Sequence, residues 1–169
     1  MADDHFSLFG LPVRYEQDEE ALERAWRAVA AQVHPDRYAT AGATERRVAM
    51  QWAARANEAY RTLRDGLSRA RYLCELRGAD LQAESNTAMS PAFLMQQMQW
   101  REALDEARTE SEGQALDALQ AELEEARAAM RENVRILLDE QNDAAQAAER
   151  VREWMFLERL AQEVDSARG

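Results

Sequence analysis

The chain has 169 residues, a formal net charge of -11 at pH 7, six glycines and three prolines. Ala, Glu, Arg, Leu and Gln dominate, which favours helices and argues against long irregular regions. Residues 1–79 carry 12 acidic and 12 Arg side chains, whereas residues 80–169 carry 20 acidic and 9 Arg. The acidic second half disfavours nucleic-acid binding because it would repel phosphates. The different charge of the two halves predicts two modules with different partners.

The cysteine count and the hydropathy of the chain indicate its compartment. Cys74 is the only cysteine, so no intramolecular disulfide can form, and a reducing environment is the natural setting. It stands in the apolar run YLCEL, which favours a buried, inert thiol. The acidic N-terminal sequence lacks the apolar stretch of a signal peptide, and no run approaches the length of a membrane span. We expect a soluble cytoplasmic protein that does not bind membranes.

The first half predicts two helices joined by a short connection. In QDEEALERAWRAVAAQV, Asp18 is the predicted N-cap,. The apolar stripe of this helix comprises Leu22, Trp26, Val29 and Val33,. A second helix is predicted from about Thr44 to Asp65, with a stripe of Trp52, Ala56, Ala59 and Leu63. Two such helices should pack as an antiparallel hairpin. A shorter helical segment follows and ends at Gly78.

The second half predicts a helical bundle. The polar segment ADLQAESNTAM marks a module boundary, and Ser90 followed by Pro91 is a strong helix start,. Helical patterns cover about 90–110, 113–138 and 141–166, with weak breaks at 111–113 and 139–143. We therefore predict an all-α protein: an N-terminal module at residues 1–76, a linker at 77–89, and an antiparallel three-helix bundle at 90–169.

The segment QVHPDRYA places an imidazole and a carboxylate on either side of Pro35. The proline disfavours helical geometry at His34, so the first helix should stop there. Catalysis is disfavoured, because acid–base chemistry needs several groups around one pocket and no nucleophile motif is present. Two His and one Cys give no recognised metal-ligand spacing,, and His5 is expected to be solvated. We expect no catalytic residue, metal or cofactor, and a stiff tip that displays Asp36 to an arginine of a partner.

The context of this tripeptide resembles the J-domain family, which are co-chaperones of the seventy-kilodalton heat-shock class. The similarity covers roughly residues 3–76 and includes the HPD tripeptide, the DRYA that follows it, and NEAYRTLRD at residues 57–65. It implies a loop that binds the ATPase domain and linker of a DnaK-type chaperone and stimulates ATP hydrolysis. The chaperone-binding residues that it implies are His34, Pro35, Asp36, Arg37, Arg24 and Arg27. Arg37 stands where the family more often has Lys, which keeps the charge but changes the geometry.

The helix that starts at Ser90 carries more apolar residues than its core face needs. At about 100° per residue, the core face comprises Phe93, Gln97, Trp100, Leu104 and Ala107. Leu94, Met95 and Met98 project from the other side, which Gln99, Glu102 and Glu106 continue. In the last helix the stripe comprises Val151, Trp154, Leu157, Leu160, Ala161 and Val164, and it leaves out Met155 and Phe156. This surplus indicates a shared binding patch, although a covering helix is an alternative.

Three further segments narrow the resemblance to HscB-type iron–sulfur cluster co-chaperones along nearly the whole chain. They are FSLFGLPVRYEQDEEAL, SRARYLCELRGADL and FLMQQMQWREALDE. The resemblance implies two partners, the specialised DnaK-type chaperone HscA and the scaffold protein IscU, which docks on the C-terminal bundle. The scaffold-binding residues that it implies are Leu94, Met95, Met98, Gln99, Glu102, Glu106 and Phe156. Gln99 stands where the family often has Glu, and we expect this change to weaken scaffold binding by about 1 kcal/mol.

The expected function is that of an adaptor, not an enzyme. The chain would stimulate the ATPase of HscA and deliver IscU to it, which would assist cluster transfer to iron–sulfur proteins. Alternatives remain open. A general J-protein would deliver unfolded clients, and a purely structural helical module would self-associate through its outer Met and Phe side chains. An enzyme would turn over a substrate without any partner.

Overall fold

The computed structural model describes residues 4–81, 89–110 and 113–169, and every regular element within them is helical. The chain divides into two compact units, Met1–Leu76 and Arg77–Gly169. The all-α prediction is confirmed. Most of the linker predicted at residues 77–89 falls on residues 82–88, which lie outside the described residues. Within the described ranges, no helix combines the length and apolar character that a membrane crossing requires.

The first unit contains four α-helices and one 3-10 turn. The helices are α1 (His5–Leu8), α2 (Glu19–Gln32), α3 (Ala43–Arg64) and α4 (Gly66–Leu76), and the 3-10 turn covers Pro35–Tyr38 between α2 and α3. Asp18 caps α2 as predicted, because its carboxylate accepts hydrogen bonds from the N–H groups of Glu20 and Ala21. Asp65 caps α4 in the same manner, accepting from the N–H of Ser68 at 2.9 Å.

The core of the first unit forms where α1 and α4 close over the α2–α3 hairpin. Its fully buried side chains include Phe6, Leu22, Ala56, Ala59, Leu63 and Leu73. Tyr15 is also buried and donates its hydroxyl to the carbonyl of Gly66 at 3.1 Å. Cys74 is buried, as predicted for an apolar run.

Two features of this unit differ from the predictions. His5 was expected to be solvated, but its ring stacks on Tyr72 with centroids 4.3 Å apart. Its backbone N–H donates to the Tyr72 hydroxyl at 2.8 Å, and burial lowers the pKa of the imidazole. Trp52 was assigned to the packing stripe of α3, yet 41% of it is exposed. The stripe is therefore covered along only part of its length.

Within residues 77–81, 89–110 and 113–169, the second unit contains three α-helices and a π-helical segment. The helices are α5 (Pro91–Ala107), α6 (Gln114–Arg135) and α7 (Ala144–Arg168). Ser90 caps α5, with its hydroxyl accepting from the N–H of Phe93 and with Pro91 in the first turn, as the Ser–Pro pair predicts. The predicted helix over 113–138 stops being α-helical at Arg135, because Ile136–Glu140 is π-helical. Asn142, with φ 50, then reverses the chain before α7.

Polar contacts between the helices define the directions in which the three helices run. In α6 and α7, Gln120 pairs with Asp165 and Arg127 pairs with Glu158, so these helices are antiparallel. At the seam of α5 and α7, Ser90 bonds Glu153 and Arg101 bonds Glu163, so these two helices are parallel. The predicted antiparallel three-helix bundle is confirmed. Its core comprises Trp100, Leu104, Ala107, Leu116, Leu119, Leu123, Leu157, Leu160 and Val164.

The half-buried imidazole of His5 predicts a pH dependence of stability. Burial is the largest cause that lowers its pKa, and nearby Arg55 adds to it, while Glu58 and Asp4 oppose it. As pH falls below the ordinary value of 6.5, the unfolded chain takes up the proton more readily than the folded chain, so stability falls. Urea unfolding at about pH 7.5 and about pH 5.5 should show a larger loss for the native sequence than for His5→Phe. Equal losses in the two proteins would contradict the assignment.

Candidate functional site

The His34–Pro35–Asp36 corner has a backbone that its own sequence fixes. α2 ends at Gln32, and His34 adopts φ -60 and ψ 135, the extended geometry that a following proline favours. Pro35 then starts the 3-10 turn, and its ring fixes φ at the first position,. The N–H of Asp36 donates to Nδ1 of His34 at 3.2 Å. The imidazole therefore acts as the cap of the turn.

Two more hydrogen bonds stabilise the backbone of the corner. The N–H of Arg37 donates to the carbonyl of His34 at 3.0 Å. The hydroxyl of Tyr38 donates to the carbonyl of Gln32 at 3.3 Å and so joins the two sides of the bend. The direction of the tip is therefore set by local bonds as well as by the proline.

The side chains at the tip face water. The His34 side chain is 56% exposed and that of Asp36 is 93% exposed. Their Nδ1 and Oδ2 atoms are 3.7 Å apart, which is too far for a hydrogen bond. Because Nδ1 accepts the Asp36 N–H, the imidazole carries its proton on Nε2, which leaves a donor beside the displayed carboxylate. Two solvated groups of this kind suit recognition better than acid–base catalysis, which needs an enclosed reacting group.

The predicted supporting arginines lie on the exposed side of α2. Arg27 bonds Glu23 at 2.7 Å, and Arg24 approaches Glu20 at 4.0 Å. Both guanidinium groups belong to side chains that are at least 70% exposed, and such exposed pairs are weak. They can therefore exchange their glutamates for the carboxylates of a partner. Arg37 is also exposed, so the structure places all the predicted chaperone-binding residues at the surface.

The outer face of α5 leaves large apolar side chains in water. Leu94 is 46% exposed, Met95 64% and Met98 70%. By contrast, Trp100 is 6% exposed in the core and Phe93 packs edge-on against it. Gln99, Glu102 and Glu106 are exposed on the same outer face. Within the second unit, no described helix covers these side chains, so the alternative of a covering helix in the bundle is wrong for them.

A shallow groove of about 690 Å³ runs along this face and includes residues that sequence reasoning missed. Besides Leu94, Met98 and Glu102, its lining includes Gln97, Arg101 and Asp105. Gln97 was predicted for the core face but is half-buried at the groove. Arg101 bonds Glu163 of α7 at 2.5 Å, so one wall of the groove is tied to the neighbouring helix.

Phe156 lies on α7 and is half-buried rather than fully exposed. The guanidinium of Arg159 stands 4.6 Å from the centre of its ring. The contacts of Ser90 with Glu153 and of Arg101 with Glu163 set the register of α5 and α7, and this register puts Phe156 level with the start of α5. Phe156 is thus level with the start of α5, although the groove lining does not include it.

These surfaces combine exposed charged groups with exposed apolar side chains. Throughout residues 4–81, 89–110 and 113–169, no three His, Cys, Asp or Glu side chains cluster closely enough to hold a metal ion. The first unit exposes the Asp36 carboxylate together with arginines. The second unit exposes the apolar face of α5 with an acidic rim.

The contrast between the two sides of α5 predicts that truncations on them differ in their effect on the free energy of unfolding. Trp100→Ala should lower the free energy of unfolding by about 3–5 kcal/mol, because it removes a buried indole. Met98→Ala should change it by less than about 0.5 kcal/mol, because its side chain is already in water. Urea denaturation followed by circular dichroism measures both. A large loss in Met98→Ala would show that this side chain is covered.

Comparison with known proteins agrees with these features. A family model described as the HSCB C-terminal oligomerisation domain matches residues 89–165. The co-chaperone protein HscB homolog of Bordetella petrii is 71% identical over 167 residues, which are 99% of this chain and 97% of that protein.

Solved structures extend the similarity to the whole fold. The chaperone HscB from Vibrio cholerae superposes with a TM-score of 0.84 at 34% identity, covering 98% of this chain and 97% of that one. Human co-chaperone protein HscB gives a TM-score of 0.90 at 26% identity, covering 99% of this chain and 83% of that one. The identity and coverage of these matches show that the chain belongs to the HscB family of co-chaperones.

Proposed function

We propose that this chain stimulates the ATPase of a DnaK-type chaperone, HscA, and delivers the iron–sulfur scaffold protein IscU to it. The observation that carries the proposal is the exposure of Asp36 at the corner. Its side chain is 93% exposed, and Pro35 and His34 fix the backbone that holds it. In a member of a co-chaperone family, a carboxylate exposed in this way is available for binding by another protein.

The physical basis of the chaperone contact is preorganisation. The bond from the Asp36 N–H to the His34 imidazole holds the backbone of the corner before binding, so little backbone freedom is lost when a partner docks. An arginine of the ATPase domain is the expected counterpart of Asp36, since charge-assisted bonds between guanidinium and carboxylate are strong. Arg24 and Arg27 would add long-range attraction to an acidic partner surface.

The proposed scaffold contact uses the outer face of α5. Leu94, Met95 and Met98 supply apolar area, and methionine adapts readily to the shape of a partner. Glu102 and Glu106 supply a negative rim that favours a basic scaffold surface,. Gln99 would contribute no charge to this rim, and Phe156 would extend the apolar area onto α7.

Both proposed contacts belong to one chain, which explains how delivery would work. A scaffold held by the second unit is present at high effective concentration beside the chaperone that the first unit engages. ATP hydrolysis would take place in the chaperone and the cluster would travel on the scaffold, so this chain would act as an adaptor rather than as an enzyme. The proposed setting is the cytoplasm, where its single buried thiol would stay reduced,.

The first test removes the charge at the corner. Asp36→Asn should abolish stimulation of the chaperone ATPase while leaving the helical circular dichroism spectrum unchanged, because the exposed carboxylate supports no fold contact. Glu19→Gln is the matched control. It also removes one exposed carboxylate, but it lies at the far end of α2, about 20 Å along the helix axis, and should stimulate normally. Full stimulation by Asp36→Asn would refute the docking role of the corner.

The second test removes apolar area from the predicted scaffold patch. Met98→Ala combined with Phe156→Ala should weaken scaffold binding roughly tenfold or more, the loss typical of truncated interface anchors. Stimulation of the ATPase in the absence of scaffold should not change. Met50→Ala, which truncates an exposed methionine of the first unit, is the control. Calorimetry that shows the same scaffold affinity for all three proteins would contradict the patch.

Self-association is the second candidate role for this surface. The matching family model is described as an oligomerisation domain, and exposed methionines could equally meet a second copy of the chain. Sedimentation velocity at several concentrations separates the two roles. A dimer that the Met98→Ala, Phe156→Ala variant abolishes would assign the face to self-association, whereas a monomer at all concentrations supports scaffold binding.

A further inference from the structure

The exposed side chain of Arg159 places its guanidinium over the ring of Phe156, a residue of the proposed scaffold contact. The guanidinium carbon is 4.6 Å from the ring centre, which is within the distance of about 6 Å at which a cation is attracted to an aromatic face. The two residues are three positions apart on α7, so they share one face of the helix. The contacts proposed above assign no role to Arg159.

The glutamate that could neutralise Arg159 is bound to another arginine. Glu163 follows Arg159 by four positions, the spacing at which side chains of a helix pair. Its carboxylate instead bonds Arg101 of α5 at 2.5 Å. Throughout the described ranges of the chain, Arg159 takes part in no ion pair. The contact between α5 and α7 therefore leaves the charge of Arg159 without a carboxylate partner.

The register of α5 and α7 places Arg159 level with the exposed apolar side chains of α5. Arg159 lies six residues after Glu153, which bonds Ser90 at the start of α5. Both helices rise about 1.5 Å per residue, so Arg159 is level with about residue 96 of α5. This level lies between Leu94 and Met98, which are both exposed.

A second arginine adds positive charge to this face of α7. Arg152 lies four positions before Phe156 and is 9% exposed. Its Nε and Nη1 atoms are buried, and neither has a hydrogen-bond partner within the part of the chain that the structure describes. Guanidinium groups thus stand before and after Phe156 on one helix face, in the half of the chain that carries the excess of acidic residues.

We propose that Arg159 binds a carboxylate of the scaffold protein and thereby sets the orientation in which the scaffold docks. The proposal rests on the proposed function and adds a specificity-determining residue to its scaffold contact. Glu102 and Glu106 favour basic groups of the scaffold at α5, whereas Arg159 favours an acidic group at α7. A scaffold that docked in the reverse orientation would place like charges opposite each other, which disfavours that orientation.

The position of Arg159 over the ring prepares it for this contact. Contact with Phe156 restricts the guanidinium before binding, so less conformational freedom is lost when a partner docks. The N–H donors of a guanidinium lie at the edge of its plane, where a carboxylate can accept two parallel bonds. Docking would also exclude water around the pair, which strengthens the attraction between opposite charges.

The first test neutralises Arg159. Arg159→Gln should weaken scaffold binding roughly tenfold at about 0.05 M salt and only about twofold at about 0.5 M salt, because salt screens charges near the surface. Arg131→Gln is the matched control, since the Arg131 guanidinium also stands over an aromatic ring of α7, that of Trp154 at 5.9 Å, but belongs to α6. It should stay within roughly twofold of the native chain.

Calorimetry at both salt concentrations gives the affinities. Equal affinities for Arg159→Gln and Arg131→Gln at low salt would overturn the proposal. A loss in Arg159→Gln that is the same at both salt concentrations would indicate lost packing against Phe156 and would also overturn it.

A double-mutant cycle identifies the scaffold carboxylate. Each exposed Asp or Glu of the scaffold is replaced in turn by Asn or Gln, and the affinity of each variant is measured for the native chain and for Arg159→Gln. At least one replacement should weaken binding to the native chain roughly tenfold but binding to Arg159→Gln less than about twofold, because its partner is already absent there. A complete series without such a replacement would contradict the proposal.

These measurements separate the inference from the function on which it rests. A native chain that does not bind the scaffold would overturn both. If the native chain binds, Met98→Ala with Phe156→Ala weakens binding, and Arg159→Gln behaves like Arg131→Gln, only the role of Arg159 is wrong. Sedimentation velocity provides a further check. A dimer of the native chain that Arg159→Gln abolishes and Arg131→Gln retains would assign Arg159 to a second copy of the chain and overturn the proposal.

Discussion

Pro35 imposes the constraint on which the functional end of the first unit depends. Its ring excludes helical geometry at His34, so α2 must end and the chain must bend. The bend leaves the N–H of Asp36 without a helical acceptor, and the imidazole of His34 accepts it at 3.2 Å. The carboxylate of Asp36 thus points into water from a backbone that has few alternative conformations. The same bend lies between the end of the α2 stripe and the start of the α3 stripe, where an apolar groove of about 570 Å³ is lined by both helices.

The second unit exposes large apolar side chains to water while its helices remain packed around a core. Core packing uses one side of α5, where Trp100, Leu104 and Ala107 are buried against α6 and α7. The other side is therefore available for Leu94, Met95 and Met98. The pairs of Ser90 with Glu153 and of Arg101 with Glu163 hold α5 beside α7 at the rim. The surrounding acidic residues favour solubility of this exposed apolar face and attract basic partners.

Much of this architecture is local and was predictable for that reason. Asp18, Pro35 and the Ser90–Pro91 pair determine helix ends through bonds to residues within three positions, and the apolar stripes define which face of each long helix is buried. The exposed position of Met95 and Met98 follows from the same periodicity, because their side of α5 does not coincide with the core stripe.

Other features depend on distant contacts that a single sequence does not reveal. His5 is partly covered by Tyr72, which is 67 positions away. The stripe of α3 identifies Trp52 as inward-facing, but periodicity cannot show that the covering elements stop short of it. The π-helical segment at Ile136–Glu140 and the pairing of Arg101 with Glu163 depend on how the helices meet. The groove beside the corner is a consequence of such incomplete coverage, and the sequence alone gave no sign of it.

The account depends most on the claim that one chain joins the ATPase partner to the scaffold through two separate surfaces. The most direct measurement is a titration of the steady-state ATPase rate of the HscA-type chaperone with this chain, in the absence and in the presence of the scaffold. The account predicts that scaffold lowers the concentration of the chain needed for half-maximal stimulation, since a scaffold-loaded chain contacts the chaperone at two points. An unchanged half-maximal concentration, at scaffold levels shown to saturate the α5 face, would contradict it.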